Sequence, residues 1–190
     1  MGSVAVGGRL QRGAAAAVAA GLAPAAHGSD GAGSIRIPAS VCGLYGIKPT
    51  RGRISFAPIL PDLAGLSTSG PIARTVADAA ALLEAMAHNQ PGDLYVAPPS
   101  PVGFTEAVTR DPGRLRIGRT ATPVVPGAVV HPEVLAAYEN ASALLESLGH
   151  EVVDMPPAFG ASIVPEFEKL WFCFAGVHPV NPEMEPKLRP

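Results

Sequence analysis

Two cysteines in 190 residues, Cys42 and Cys173, are too few for a disulfide framework and too far apart for a metal-binding C-x-x-C pair. Both read as buried or half-buried thiols of a reducing compartment. Charge of one sign is also missing. Fourteen Lys and Arg stand against sixteen Asp and Glu, a net −2, which removes the electrostatic case for nucleic acid or an anionic membrane as partner. Aromatic residues are few, and much of the apolar content is alanine, so any core rests on small side chains. No apolar run reaches the roughly 20 residues of a spanning helix. Ala14 to Ala26 comes nearest, and Gly21 and Pro24 interrupt it, so it reads as a buried helix. The first residues show no basic segment followed by a leucine-rich one, and the cytoplasm is the expected location. There is no H-E-x-x-H, no paired C-x-x-C and no phosphate-loop G-K-(S/T). Gly28, Gly31 and Gly33 do not have the G-x-G-x-x-G spacing of a dinucleotide loop. Neither a metal nor a cofactor is expected.

Glycine and proline are plentiful, 21 of each, spread without repeat, as in a loop-rich enzyme. The informative stretch is His27 to Ser55, HGSDGAGSIRIPASVCGLYGIKPTRGRIS. It places Ser34 after three small residues, Gly31, Ala32 and Gly33. A loop of that composition can turn several backbone N–H groups toward one point beside a hydroxyl, which is what a developing oxyanion requires. Larger side chains would block the turn and the approach of a carbonyl. Ile35 to Pro38 then reads as the start of an apolar strand.

Elsewhere, Ala14 to Gly21 reads as a helix stopped by Gly21. Val41 to Ile47 is a second apolar run, and Arg51 to Pro71 is mostly loop. Thr75 is placed to cap a helix whose apolar face holds Ala79, Ala80 and Leu83. Leu115 to Gly118 reads as a strand. Pro132 opens a helix with Val134, Leu135, Tyr138, Ala141, Leu144, Leu145 and Leu148 on its inner face, stopped by Gly149. Glu151 to Asp154 follows as a strand. This order suits an α/β sheet covered by helices. The cluster Trp171, Phe172 and Phe174 belongs in a core.

The run from Gly28 to Ser55 resembles the amidase signature family, whose core reads G-(S/T)-D-x-G-G-S-I-R-x-P-A, then C-G, then K-P-T-x-G-R-(V/I)-S. Gly70 to Ala80, GPIARTVADAA, is similar to a second segment of that family. Ala32 stands where glycine is more usual. The resemblance implies a mixed β-sheet flanked by α-helices, incomplete at both ends. It implies a single partial domain over 1–190, with an atypical segment 1–13, a core 14–157 and an incomplete segment 158–190.

The resemblance further implies Ser34 as nucleophile and the N–H groups of Gly31, Ala32, Gly33 and Ser34 as oxyanion hole. Asp30 and Arg36 would brace the loop. The substrate would be a small-molecule amide, hydrolysed through a serine acyl-enzyme, with no nucleic-acid or membrane partner and self-association left open. Such enzymes also use a bridging serine and a lysine that must be neutral to accept a proton. The bridging position falls on Leu10, the family lysine lies before Met1, and Lys48, Lys169 and Lys187 do not match it. The chain is therefore expected to be a truncated amidase, inactive or nearly so by itself, with a disrupted reading frame or mis-set start as its origin. The alternatives are the amidase subunit of a tRNA-dependent amidotransferase and a non-catalytic amidase remnant. His27 and Cys42 are read as structural. Histidine is not the base in this family, and apolar neighbours disfavour a thiolate.

Overall fold

A computed structural model describes residues 12–58 and 64–176, with side chains through 173. The chain divides into two compact units, Met1–Arg110 and Asp111–Pro190.

In the first unit, α1 (Arg12–Ala19) buries Ala15 and Val18 on one face. After it come β1 (Ala25–Asp30), α2 (Arg36–Cys42), β2 (Tyr45–Gly46), β3 (Thr68–Ala73), α3 (Val76–Met86) and the short α4 (Phe104–Ala107). The three strands form an antiparallel sheet in the order β1-β3-β2. Its β1–β3 register pairs Ala26 with Ile72, Gly28 with Gly70 and Asp30 with Thr68 on one face. That face carries the core, in which Ala15, Ile35 and Ile72 are buried and Cys42 and Leu44 pack against them.

Glycine suits position 70 on this face because neighbouring chain comes very close. A Cβ on Gly70 would lie 2.1 Å from the Ile47 carbonyl oxygen and 3.1 Å from Ile35 Cδ1. Pro71 sits in the central strand, where a missing N–H is usually harmful. Its carbonyl accepts from Ile47 N at 3.1 Å, so its missing donor also faces the side of β2, a strand of two residues.

Two sequence readings are corrected in this unit. Ile35 to Pro38 is not strand. It enters α2, because the Asp30 carboxylate accepts from the Ile35 and Arg36 amides and so satisfies donors of the helix start. Pro38, within the first turn, needs no N–H there. The helix ends at Gly43 (φ +66°) with Leu44 N donating to Ala39 O at 2.8 Å, a left-handed stop only glycine adopts freely. The second correction is that the supposed loop to Pro71 ends in β3. Thr75 caps α3 as expected, its hydroxyl accepting from Asp78 N at 3.0 Å, and Ala79, Ala80 and Leu83 are buried.

In the second unit, β4 (Arg116–Arg119), α5 (Pro132–Ser147) and β5 (Glu151–Asp154) form a βαβ element with parallel strands, followed by α6 (Ile163–Gly176). The inner stripe of α5 is Tyr138, Ser142 and Leu145. Val134, Leu135, Leu144 and Leu148, expected on that face, are 40–64% exposed. Of the aromatic cluster, Trp171 and Phe172 are not buried either, and the Phe174 side chain lies outside the described residues. Trp171 stacks on Phe167 at 5.7 Å and Phe172 is 72% exposed. Cys173, on the same helix, is exposed, while Cys42 is half-buried. No described helix is long and apolar enough to cross a membrane.

Candidate active site

The loop from Asp30 to Arg36 is pinned at both ends. At its start, Asp30 closes β1 with its side chain wholly buried. At its end, Ile35 is wholly buried over Ile72 and Ala15. Ser34, immediately before this anchor, is half-buried.

Asp30 organises what lies between. Its Oδ1 accepts from Gly33 N at 2.6 Å and Arg36 Nη2 at 3.1 Å. Its Oδ2 accepts from Arg36 Nε at 2.9 Å, Ile35 N at 3.3 Å and Arg36 N at 3.4 Å. The guanidinium fork thus grips the carboxylate bidentately while over half of the Arg36 side chain meets solvent. Burial pushes the Asp30 carboxyl up, but the Arg36 hydrogen bonds, the Gly33 and Ile35 amides and the Arg36 charge outweigh it and hold its pKa at about 2. The same pairing raises the Arg36 pKa.

Of the four amides expected in an oxyanion hole, that of Gly33 donates to Asp30. Gly33 itself sits at φ +111°, a backbone conformation open to glycine. The amides of Gly31, Ala32 and Ser34 and the Ser34 hydroxyl have no hydrogen-bond partner among the described residues. A hydroxyl flanked by unengaged amides on a braced loop can attack a carbonyl and receive the resulting oxyanion.

His27 is exposed on the opposite face of β1 from Asp30 and pairs with Pro71. Leu10, at the place of the bridging serine, lies outside the described residues. Two later motif residues hold backbone segments together. Gly52 (φ +75°) accepts from Ala97 N at 3.0 Å and Asn89 Nδ2 at 2.9 Å, and Ser55 Oγ donates to Asp93 at 2.7 Å. This clasps the segment after α3 to the loop before β3. Sequence reasoning missed two groups. Arg74 Nη1 donates to Val18 O at 2.8 Å and Ala23 O at 2.9 Å, tying down the end of α1. Thr68 faces Asp30 across the strands, and its only advance signal was its position two residues before the G-P-I-A-R segment.

The fold and the loop together are those of the amidases. The Amidase family model matches residues 12–184, and the chain belongs to this family. It is 47% identical to the 6-aminohexanoate-cyclic-dimer hydrolase of Pseudomonas sp. (strain NK87) over 148 residues, 76% of this chain and 30% of that one. A solved structure of 6-aminohexanoate cyclic dimer hydrolase with substrate superposes with a TM-score of 0.73 at 46% identity, covering 77% of this chain and 31% of that one. Native peptide amidase from Stenotrophomonas maltophilia superposes at 0.63 with 35% identity, covering 75% and 29%. The chain thus spans about a third or less of the length of these relatives.

Proposed function

We propose that this chain carries the nucleophile segment of an amidase that hydrolyses a small-molecule carboxylic amide in the cytoplasm, with Ser34 forming the acyl-enzyme. Ser34 Oγ attacks the amide carbon, and the Gly31, Ala32 and Ser34 amides receive the oxyanion. The hydroxyl proton ends on the departing nitrogen, which leaves as an amine or ammonia, and water then adds to the ester, releasing the acid and returning a proton to Ser34 Oγ. The Asp30–Arg36 pair does not meet the substrate. It fixes the loop so that the Gly31, Ala32 and Ser34 amides need not reorganise during attack. The observation that carries this reading is the buried Asp30, whose five accepted hydrogen bonds hold the loop while the Ser34 hydroxyl and three neighbouring amides are left unengaged among the described residues. A serine-reactive fluorophosphonate probe tests it. Labelling that maps to Ser34 and disappears in Ser34→Ala is expected, and soluble, folded wild-type chain that takes up no probe refutes it.

A second reading is favoured by one observation. Leucine occupies position 10, where the family resemblance calls for a bridging serine. On that reading the chain keeps the nucleophile loop without its proton relay and turns over amides barely or not at all. Amide hydrolysis by the purified chain, absent despite probe labelling, would select this reading.

A further inference from the structure

We propose that Thr68 is a positioning residue for the nucleophile loop, its hydroxyl exchanging with the Gly33 N–H as donor to the Asp30 carboxylate. The inference rests on the reading of Ser34 as nucleophile. Thr68 is 4% exposed, and its Oγ1 is the buried side-chain oxygen that has no partner among the described residues. It stands directly opposite Asp30 in the β1–β3 register, on the same face of the sheet. Opposed residues in an antiparallel pair bring their Cβ atoms to about 4.5–5.5 Å, within reach of a hydroxyl and a carboxylate.

The hydroxyl is unpaired because its natural acceptor is full. Asp30 Oδ1 already holds Gly33 N and Arg36 Nη2, and Oδ2 holds Ile35 N, Arg36 N and Arg36 Nε. Valine would fill the same volume with no polar group to satisfy, so a buried threonine here implies a second state in which its hydroxyl is used. Gly33 is the donor placed to yield. It alone among the small loop residues 31–33 is bound to Asp30, and its φ of +111° is one from which glycine can swing. When its N–H turns away, it joins those of Gly31, Ala32 and Ser34. Thr68 Oγ–H takes the vacated lone pair on Oδ1. Asp30 accepts five hydrogen bonds before and after, and no proton changes owner.

The test uses the full chain with Thr68→Val, Thr68→Ser and Thr68→Ala. Three quantities are measured: amide hydrogen exchange at Gly33 by NMR, the rate of fluorophosphonate labelling at Ser34, and the thermal midpoint. In Thr68→Val the opened loop loses its replacement hydrogen bond to a charged acceptor, so Gly33 exchange slows about tenfold and labelling slows in step. The midpoint holds or rises. Thr68→Ser stays within about twofold of wild type, and Thr68→Ala follows Thr68→Val in exchange. Unchanged Gly33 exchange in both hydroxyl-free variants overturns the proposal, and so does a serine variant that behaves like valine. General acceleration of exchange with a lowered midpoint also overturns it, because Thr68 would then be purely structural. Slowed Gly33 exchange in a chain that takes up no probe supports the Thr68–Gly33 exchange while removing the nucleophile reading.

Discussion

Asp30→Asn is the most exacting perturbation of the loop. The wild-type carboxyl titrates at about 2 instead of its ordinary 3.8. At about 1.4 kcal/mol per unit, ionisation of this one group contributes about 2 kcal/mol of stability. The folded-state pKa is depressed, so this share is fully present above about pH 4. It is lost as pH falls toward 2 and is gone below that.

Asparagine removes the ionised share and creates a second deficit. It has one carbonyl oxygen, and its NH2 must point at donors on the other side, either Gly33 N or the Ile35 and Arg36 amides. A buried donor left unpaired costs about 1–3 kcal/mol. Arg36 adds little, since its side chain is 54% exposed and regains water. The expected loss is about 4 kcal/mol at pH 7, shrinking to about 2 kcal/mol near pH 2, where the folded wild-type acid is about half protonated and most of the ionised share is gone. Urea unfolding of the two proteins at pH 7, 5, 3 and 2 measures both numbers. A difference under about 1 kcal/mol at pH 7, or one that does not narrow on acidification, would refute the assignment of Asp30 as the charged brace of this loop.

Three further outcomes follow from single contacts. Gly70→Ala drives a Cβ to 2.1 Å from the Ile47 carbonyl, and because the obstacle is backbone, chemical denaturation is expected to show a loss of about 2–3 kcal/mol. Arg74→Gln removes the donors to Val18 O and Ala23 O, so unfolding free energy falls by about 1 kcal/mol and hydrogen exchange quickens selectively in the last turn of α1. Thr75→Ala deletes the cap on Asp78 N and lowers the melting temperature by an amount equivalent to about 1 kcal/mol, with Thr75→Ser restoring most of it.

Much of the local structure was legible in the residues because the signals were local. Alanines before Gly21 make α1, Thr75 three residues before Asp78 makes the cap of α3, and Pro132 with Glu133 opens α5. The turn before Ser34 was legible for the same reason, since small residues allow it next to a serine. Legibility failed where the partner was distant in sequence. Ile35-Arg36-Ile37-Pro38 has strand-like composition, yet it starts a helix because a carboxylate at the end of β1 supplies acceptors to its free amides. The α5 face was read from periodicity, and periodicity cannot say how much of a stripe is covered. In the described structure that is chiefly Tyr138, Ser142 and Leu145.

The amino-acid order by itself determined the family, the serine and the small-residue turn before it, since these depend on residue identity at short spacing. The tertiary structure alone decided which amides of that turn are unengaged, that Gly33 is held back by Asp30, and that an unpaired Thr68 hydroxyl lies across from the same carboxylate. The physical reason is that hydrogen-bond acceptors saturate. Which donors reach Asp30 first depends on how β1, β3 and the loop meet in space, and no spacing along the chain encodes that competition.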